Sequence, residues 1–221
     1  MIGKHTMMSE QTSTPAPGVF LFWLPLGADG NPAVRRGGQA YEAVVARRER
    51  RERLSLFHSA LRVRLGGKTF VVEMAPAWDA LEADRGVVGE GPVGLAWLGR
   101  SRFFRYEIRR WRDGVIPDAD QAVDSPLDLG ATDGQARALL ALVPDCPTPV
   151  WGRDDLRAGE MWNSNSLVAW LLTHVGLLRG DIGPPHQGRA PGWSAGVAVA
   201  QRQLLRTASG QQAAREASPW P

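Results

Sequence analysis

The chain has 221 residues, of which 43% are hydrophobic, and a net charge of +3 from 26 basic and 23 acidic residues. This length and apolar content suffice for one domain whose core needs no disulfide or structural metal. The single cysteine, Cys146, excludes an intramolecular disulfide and a Cys-x-x-Cys metal or redox centre. The small basic excess gives little support to nucleic-acid binding.

Both ends of the chain are predicted to be disordered tails. Residues 1–18 are rich in Ser, Thr and Pro, and residues 207–221 have a similar composition, which is typical of segments that do not pack. Residues 19–206 then form a single domain. No apolar run approaches the ~20 residues that cross a bilayer, and residues 1–18 lack the apolar stretch of a secretory signal. We therefore expect a cytoplasmic protein without a membrane span.

The first predicted elements are a strand and a helix. The apolar run Val19–Leu26 is followed by a turn-rich segment, which indicates a buried strand. Residues 40–53 predict a helix with arginines facing the solvent. The side chains expected to face inward are Tyr41, Val44 and Val45.

The clearest local pattern is a β-hairpin. His58–Leu65 and Lys68–Ala75 alternate between apolar and polar residues, and Gly66-Gly67 between them suits a two-residue turn. With that turn, Leu65 lies opposite Lys68 and every cross-strand pair sums to 133.

The second half of the chain predicts two further strands and a buried helix. The apolar residues of 164–175 surround the helix on nearly every side, so it should lie in the domain centre. Strands in the middle and a buried helix late in the chain predict the α+β class, with an antiparallel sheet packed on that central helix. The remaining predicted segments are strands at Val93–Leu98 and Phe103–Trp111, a loop over 112–132, a short helix at Gly134–Val143 and an irregular connection over 144–160.

The hairpin register brings a histidine and a carboxylate together. Ala60 would face Glu73 and His58 would face Ala75, so His58 and Glu73 share one face as diagonal neighbours. A carboxylate beside an imidazole fixes its tautomer and supports its charged form. The alternative is that Glu73 forms a surface ion pair with an arginine of the same face, Arg62 or Arg64.

Four polar residues precede the apolar helix, Asn163-Ser164-Asn165-Ser166. Asn and Ser at this position are first of all N-caps, which satisfy the free N–H groups of the first turn. The same helix start also offers backbone donors and a positive dipole end, which stabilise a bound anion or a developing oxyanion. A nucleophile there, facing a histidine from a strand, is a standard arrangement for acyl chemistry.

These two segments carry a family resemblance. The hairpin resembles the His strand, turn and Glu-Ala strand of circularly permuted papain-like proteins, in which the His strand precedes the Cys helix. Residues 163–168, Asn-Ser-Asn-Ser-Leu-Val, are similar to the helix start of the superfamily. That start is Asn-Cys-(Asn/Glu)-His-Phe in PPPDE and lecithin–retinol acyltransferase-like groups, and Cys-Ser-x-Leu-Val in YiiX-like groups. Arg85-Gly86-Val87 and the strand at 103–111 resemble intervening segments of YiiX-like proteins.

The resemblance covers about residues 54–175 and implies a permuted papain-like fold, related to that of NlpC-type enzymes. It implies Ser164 at the position of the nucleophilic Cys, His58 as base and Glu73 as the residue that orients it. Asn163, Asn165, Trp162 and Trp78 are the expected binding residues, without a metal or cofactor. A serine, unlike a thiol, needs general-base help to attack a carbonyl.

The substitution of Ser for Cys leaves several functions open. The chain is either a non-catalytic relative that binds a peptide, lipid or protein ligand, or a serine-dependent hydrolase or acyltransferase of amides or esters. A resemblance confined to structure is the third outcome. A separate alternative is a nucleic-acid-binding module that uses the arginines of residues 47–53, although Glu–Arg pairs on a solvated helix face explain that run better.

Overall fold

The computed structural model describes residues 16–27, 32–77, 84–185 and 188–216. Over these ranges the chain forms seven strands and four helices, joined by irregular segments and short 3₁₀ turns. The strands are β1 (Gly18–Pro25), β2 (Ser55–Leu65), β3 (Lys68–Pro76), β4 (Val87–Pro92), β5 (Arg105–Arg112), β6 (Val123–Asp128) and β7 (Gly188–Arg189). The helices are α1 (Pro32–Glu49), α2 (Asp133–Leu142), α3 (Ser164–His174) and α4 (Trp193–Glu216).

The strands form one sheet in the order β4-β5-β3-β2-β1-β6, in which all neighbours are antiparallel. The short strand β7 pairs with β2 in parallel. Helix α3 packs against β2 and β3 on one side and against α4 on the other. The predicted α+β class, with an antiparallel sheet on a buried helix, is therefore confirmed.

The two faces of the sheet belong to two separate cores. Helix α3 is buried from Ser164 through Leu172, and its apolar residues join Phe57, Leu61 and Val63 of β2 in the main core. The opposite face is covered by a smaller cluster that includes Ala60 and Ile116. Alternate residues of β2 therefore serve different cores, as the period of two in a strand requires.

The hairpin is confirmed with the expected register over residues 61–72. Leu65 pairs with Lys68, and the ladder continues through Arg62–Val71 to Leu61–Val72. Gly66 and Gly67 both have positive φ angles, 56° and 72°, which is why a glycine pair suits this turn. On the outer face the guanidinium groups of Arg62 and Arg64 each lie 4.7 Å from a phenylalanine ring centre of β1.

Helix α1 differs from the prediction in its bounds and in its buried side. It spans 32–49 and not 40–53, and Val44 is 68% exposed where it was expected to face inward. Glu42 is buried instead, because its carboxylate forms an ion pair with Arg51 and accepts the N–H of Leu54 at 2.9 Å. Arg51 also pairs with Glu49 at 2.6 Å, in agreement with the Glu–Arg pairing expected for this run.

Three other expectations are corrected. Val93–Leu98 is not a strand, because β4 ends at Pro92, Gly94 has a φ of 75° and a 3₁₀ turn begins at Ala96. The expected loop 112–132 contains the edge strand β6. Helix α4 continues through Glu216, so the segment expected to be disordered from residue 207 is helical over 207–216.

A close crossing of α3 and α4 generates the first prediction. A Cβ added at Gly196 would overlap the carbonyl group of Ser166, whereas one added at Gly210 in the same helix would meet no atom within 4 Å. Gly196→Ala should therefore lower the free energy of unfolding by about 1–3 kcal/mol. Gly210→Ala should raise it by up to about 1 kcal/mol, because alanine favours the helix. Urea unfolding of both variants measures the difference, and equal stabilities would contradict the crossing.

Candidate functional site

The candidate site lies where β2 and β3 separate. Their ladder ends at Leu61–Val72, so the predicted pairs Ala60–Glu73 and His58–Ala75 do not form. Beyond this point β2 stays with β1 and β3 stays with β5. A physical reason is visible in the sequence: the same register would place Pro76 opposite Phe57, and proline has no N–H to donate to the Phe57 carbonyl.

The start of helix α3 fills the place that β3 leaves. The side-chain amide of Asn165 donates to the carbonyl of Phe57 at 2.9 Å and to that of Pro191 at 2.9 Å. The hydroxyl of Ser59 donates to Oδ1 of Asn165 at 2.9 Å. Ser59 and Asn165 are buried. The Asn165 side chain thus replaces a missing strand partner and fixes the helix start against β2.

Asn163 and Ser166 cap the helix reciprocally. Oδ1 of Asn163 accepts the N–H of Asn165 at 2.9 Å and that of Ser166 at 3.4 Å. Oγ of Ser166 accepts the N–H of Asn163 at 3.1 Å and donates to the carbonyl of Gly192 at 2.7 Å. The capping role expected for this tetrapeptide is therefore confirmed for Asn163.

Ser164, unlike Asn163 and Ser166, does not cap the helix. It is the first residue of α3 and is 5% exposed. Within the described part of the chain, neither its hydroxyl nor its backbone N–H makes a hydrogen bond. Asn163, Asn165 and Ser166 hold the helix start in place, which leaves Ser164 with one donor N–H and one hydroxyl available to another molecule.

Two cavities meet at Ser164. Their volumes are about 330 and 130 Å³, and both are lined by Leu26, His58, Pro76, Trp151 and Ser164. The wall of the larger cavity is mainly apolar, with Phe57, Val93 and Met161 among its residues. The smaller cavity lies in the gap between β2 and β3, where Ala60 and Glu73 contribute to its wall.

The structure brings three of the predicted site residues together. His58 and Ser164 line both cavities, and Glu73 lines the smaller one. Asn163 and Asn165 line the larger cavity, but their amide groups are engaged in the hydrogen bonds described above. The catalytic and binding roles of these residues stay predictions.

Of the two predicted tryptophans, Trp162 does not line either cavity. Trp162 is 2% exposed and belongs to the main core, so it is not available to a ligand in either cavity. Trp78 lies outside the described residues. Trp151 was missed by the sequence analysis, although it lines both cavities and its ring lies 5.4 Å from that of Tyr106. The only signal was a large aromatic residue within a Pro- and Gly-rich connection.

The carboxylate of Glu73 belongs to a buried ion-pair network. It accepts a hydrogen bond from Arg109 at 2.8 Å, and Arg109 also pairs with Glu107 at 3.1 Å. Arg85 binds the same Glu107 carboxylate. The alternative that Glu73 pairs with Arg62 or Arg64 on the surface is therefore corrected: its arginine partner is Arg109 in the neighbouring strand, and both are buried.

The pKa values of Glu107, in this network, and of Cys146, in the main core, are shifted. Burial tends to raise the pKa of Glu107, but the hydrogen bonds from Arg85 and Arg109 outweigh it, so the pKa is lowered and the carboxylate stays ionised. Burial raises the pKa of the Cys146 thiol. That thiol lies in the main core, so its protonated form is not a nucleophile for either cavity.

No family model matches the chain, and comparisons with curated proteins and with solved structures found no match. Among the described residues, no cluster of three or more His, Cys, Asp or Glu could hold a metal ion. No helix in the described ranges has the length and hydrophobicity needed to span a membrane.

The contrast between two adjacent residues generates a second prediction. Asn165→Ala removes three buried hydrogen bonds and leaves the Phe57 carbonyl and the Ser59 hydroxyl unsatisfied. It should lower the free energy of unfolding by about 2–4 kcal/mol. Ser164→Ala should change it by less than about 0.5 kcal/mol, because the hydroxyl makes no hydrogen bond within the described chain. Denaturant unfolding compares the two, and a large loss in Ser164→Ala would mean that its hydroxyl is structural.

Proposed function

We propose that this chain is a serine-bearing relative of the permuted papain-like superfamily that binds a ligand in the two cavities at the start of α3. The ligand carries an apolar group and a carbonyl or carboxylate oxygen. The observation that carries the proposal is the unused hydroxyl and N–H of Ser164, which lies where the two cavities meet. Further support comes from the element order, in which the His58 strand precedes the helix that begins at Ser164.

The cavity walls define the ligand class. Trp151, Phe57 and Met161 offer apolar surface, and a volume of about 330 Å³ lies in the range of small-molecule sites. The first turn of α3 carries the positive end of the helix dipole, and the Ser164 N–H can donate to an oxygen there. A medium-chain acyl group, whether a fatty carboxylate or an acyl ester, combines both features. Such a ligand falls within the lipid class expected from the sequence.

Octanoate is a suitable probe of the binding site. Wild-type protein should bind it saturably in isothermal titration. Ser164→Ala should weaken binding by about fivefold, the equivalent of one hydrogen bond of about 1 kcal/mol. Ser164→Leu should weaken it by about tenfold or more, because the larger side chain fills the junction of the cavities. Leu205→Ala, at a residue that is 69% exposed on α4 and lies outside both cavities, is the control and should bind as wild type. No saturable binding, or equal affinity in Ser164→Leu, would refute this site.

A serine-dependent hydrolase or acyltransferase is the second candidate, favoured because His58 lines the same two cavities as Ser164. In this reaction His58 takes the hydroxyl proton while Oγ of Ser164 bonds to the carbonyl carbon of an ester or amide. The Ser164 N–H donates to the resulting oxyanion. His58 then returns the proton to the leaving alcohol or amine, and water or another acceptor takes the acyl group from Ser164. Glu73 would orient His58, with Arg109 holding Glu73 in place.

A fluorophosphonate probe distinguishes the second candidate from simple binding. Wild-type protein should be labelled, Ser164→Ala should not, and His58→Ala should be labelled at least about a hundredfold more slowly. Ser101→Ala provides the control at a serine outside both cavities and should be labelled as wild type. Equal labelling of wild type and Ser164→Ala would remove Ser164 as a nucleophile. The octanoate measurement would still decide the binding proposal.

A further inference from the structure

The connection between β4 and β5 forms an exposed projection, residues 93–104, which we name the β4–β5 tip. The N–H of Val93 donates to the carbonyl of Phe104 at 2.8 Å and closes its base. Two 3₁₀ turns, Ala96–Arg100 and Arg102–Phe104, form the rest, and neither has a buried residue. The tip is therefore a loop whose side chains are mostly exposed, except Val93, which lines the larger cavity and packs against the main core.

The tip exposes an unusual amount of apolar surface. Trp97 is 67% exposed and Phe103 is 66% exposed, and Leu95 and Phe104 are each more than two-fifths exposed. Four large apolar side chains within ten consecutive positions form a patch, whereas apolar residues scattered singly over a surface need no explanation. A patch of this kind marks a place where another surface binds.

The charges of the tip indicate the nature of that surface. Arg100 and Arg102 are exposed, and neither makes an ion pair or side-chain hydrogen bond with the described residues. Residues 93–104 contain no acidic side chain. Aromatic side chains beside unpaired arginines suit the interface of an anionic bilayer, where the rings enter the headgroup region and the guanidinium groups bind phosphates.

We propose that the β4–β5 tip docks on the surface of a membrane that contains anionic lipids. Four apolar side chains are too few for the core of a stable protein–protein interface of about 800 Å² per partner, but they suffice for shallow and reversible insertion when arginines assist. This inference does not depend on the proposed function. The tip nevertheless lies beside the proposed ligand site. The N–H of Gly94 donates to the carbonyl of Trp151 at 3.3 Å, and Trp151 lines both cavities.

Co-sedimentation with vesicles tests this inference on the full chain. The protein should sediment with vesicles in which about a third of the lipid is phosphatidylglycerol, and it should remain in solution with pure phosphatidylcholine. Salt at about 1 M should reduce binding, because it screens the arginines. The double variant Trp97→Ser/Phe103→Ser should lose about tenfold or more of its partitioning, and Arg100→Gln/Arg102→Gln should lose several-fold.

Matched controls separate the tip from general surface properties. Leu205→Ser changes a residue that is 69% exposed on α4, and Arg47→Gln/Arg48→Gln removes two exposed charges from α1. Both should bind vesicles as wild type, and circular dichroism should show that every variant is folded. The inference is overturned if wild type ignores anionic vesicles or if tip and control variants bind alike. It is equally overturned if light scattering shows a dimer that Trp97→Ser/Phe103→Ser abolishes while vesicles have no effect.

Discussion

The hydrogen bond from the Asn165 amide to the Phe57 carbonyl is the contact on which the arrangement of the site depends. Because of this bond, β2 extends past the end of its pairing with β3 while the Phe57 carbonyl still has a donor. A buried strand requires such a donor for its backbone carbonyl groups. The same amide binds Pro191, so one side chain fixes β2, α3 and the segment before α4 to one another. A sheet that remained fully paired would have left no gap for a cavity beside His58.

Three of the four polar residues at the start of α3 form the hydrogen bonds that hold it in place. Asn163 accepts the N–H groups of Asn165 and Ser166, Ser166 accepts that of Asn163, and Asn165 donates to the Phe57 carbonyl of the open strand. Because Asn163, Asn165 and Ser166 hold the helix start in place, the position of Ser164 does not depend on a hydrogen bond of its own. A group held in this way has no protein contact to break when a ligand arrives, which favours either recognition or chemistry at that point.

Much of this architecture follows from local patterns in the sequence. The glycine pair and the alternation around it predicted the turn and the register of the hairpin over residues 61–72. The apolar helix with its polar start predicted α3 and its cap. The end of the β2–β3 ladder was missed although Pro76 gives a local signal for it, because the contact that replaces β3 joins Asn165 to Phe57, 108 residues apart. Trp162 was misassigned for a related reason: sequence shows that a tryptophan needs partners, but only the packed core shows which ones. Helix α4 was missed because its small residues and glycines carry a weak helical pattern, and its first turns are stabilised by packing on α3.

The two outer strands of the described sheet share a feature that bears on how the protein behaves in concentrated solution. β4 carries Gly89, Glu90, Gly91 and Pro92, and β6 carries Asp124, Pro126 and Asp128. One proline interrupts the row of backbone N–H groups along each of these edge strands. The carboxylates of each edge strand repel a second copy of the same strand. Neither edge strand is therefore a good template for β-augmentation. This protects the protein against aggregation by pairing between the edge strands of two molecules.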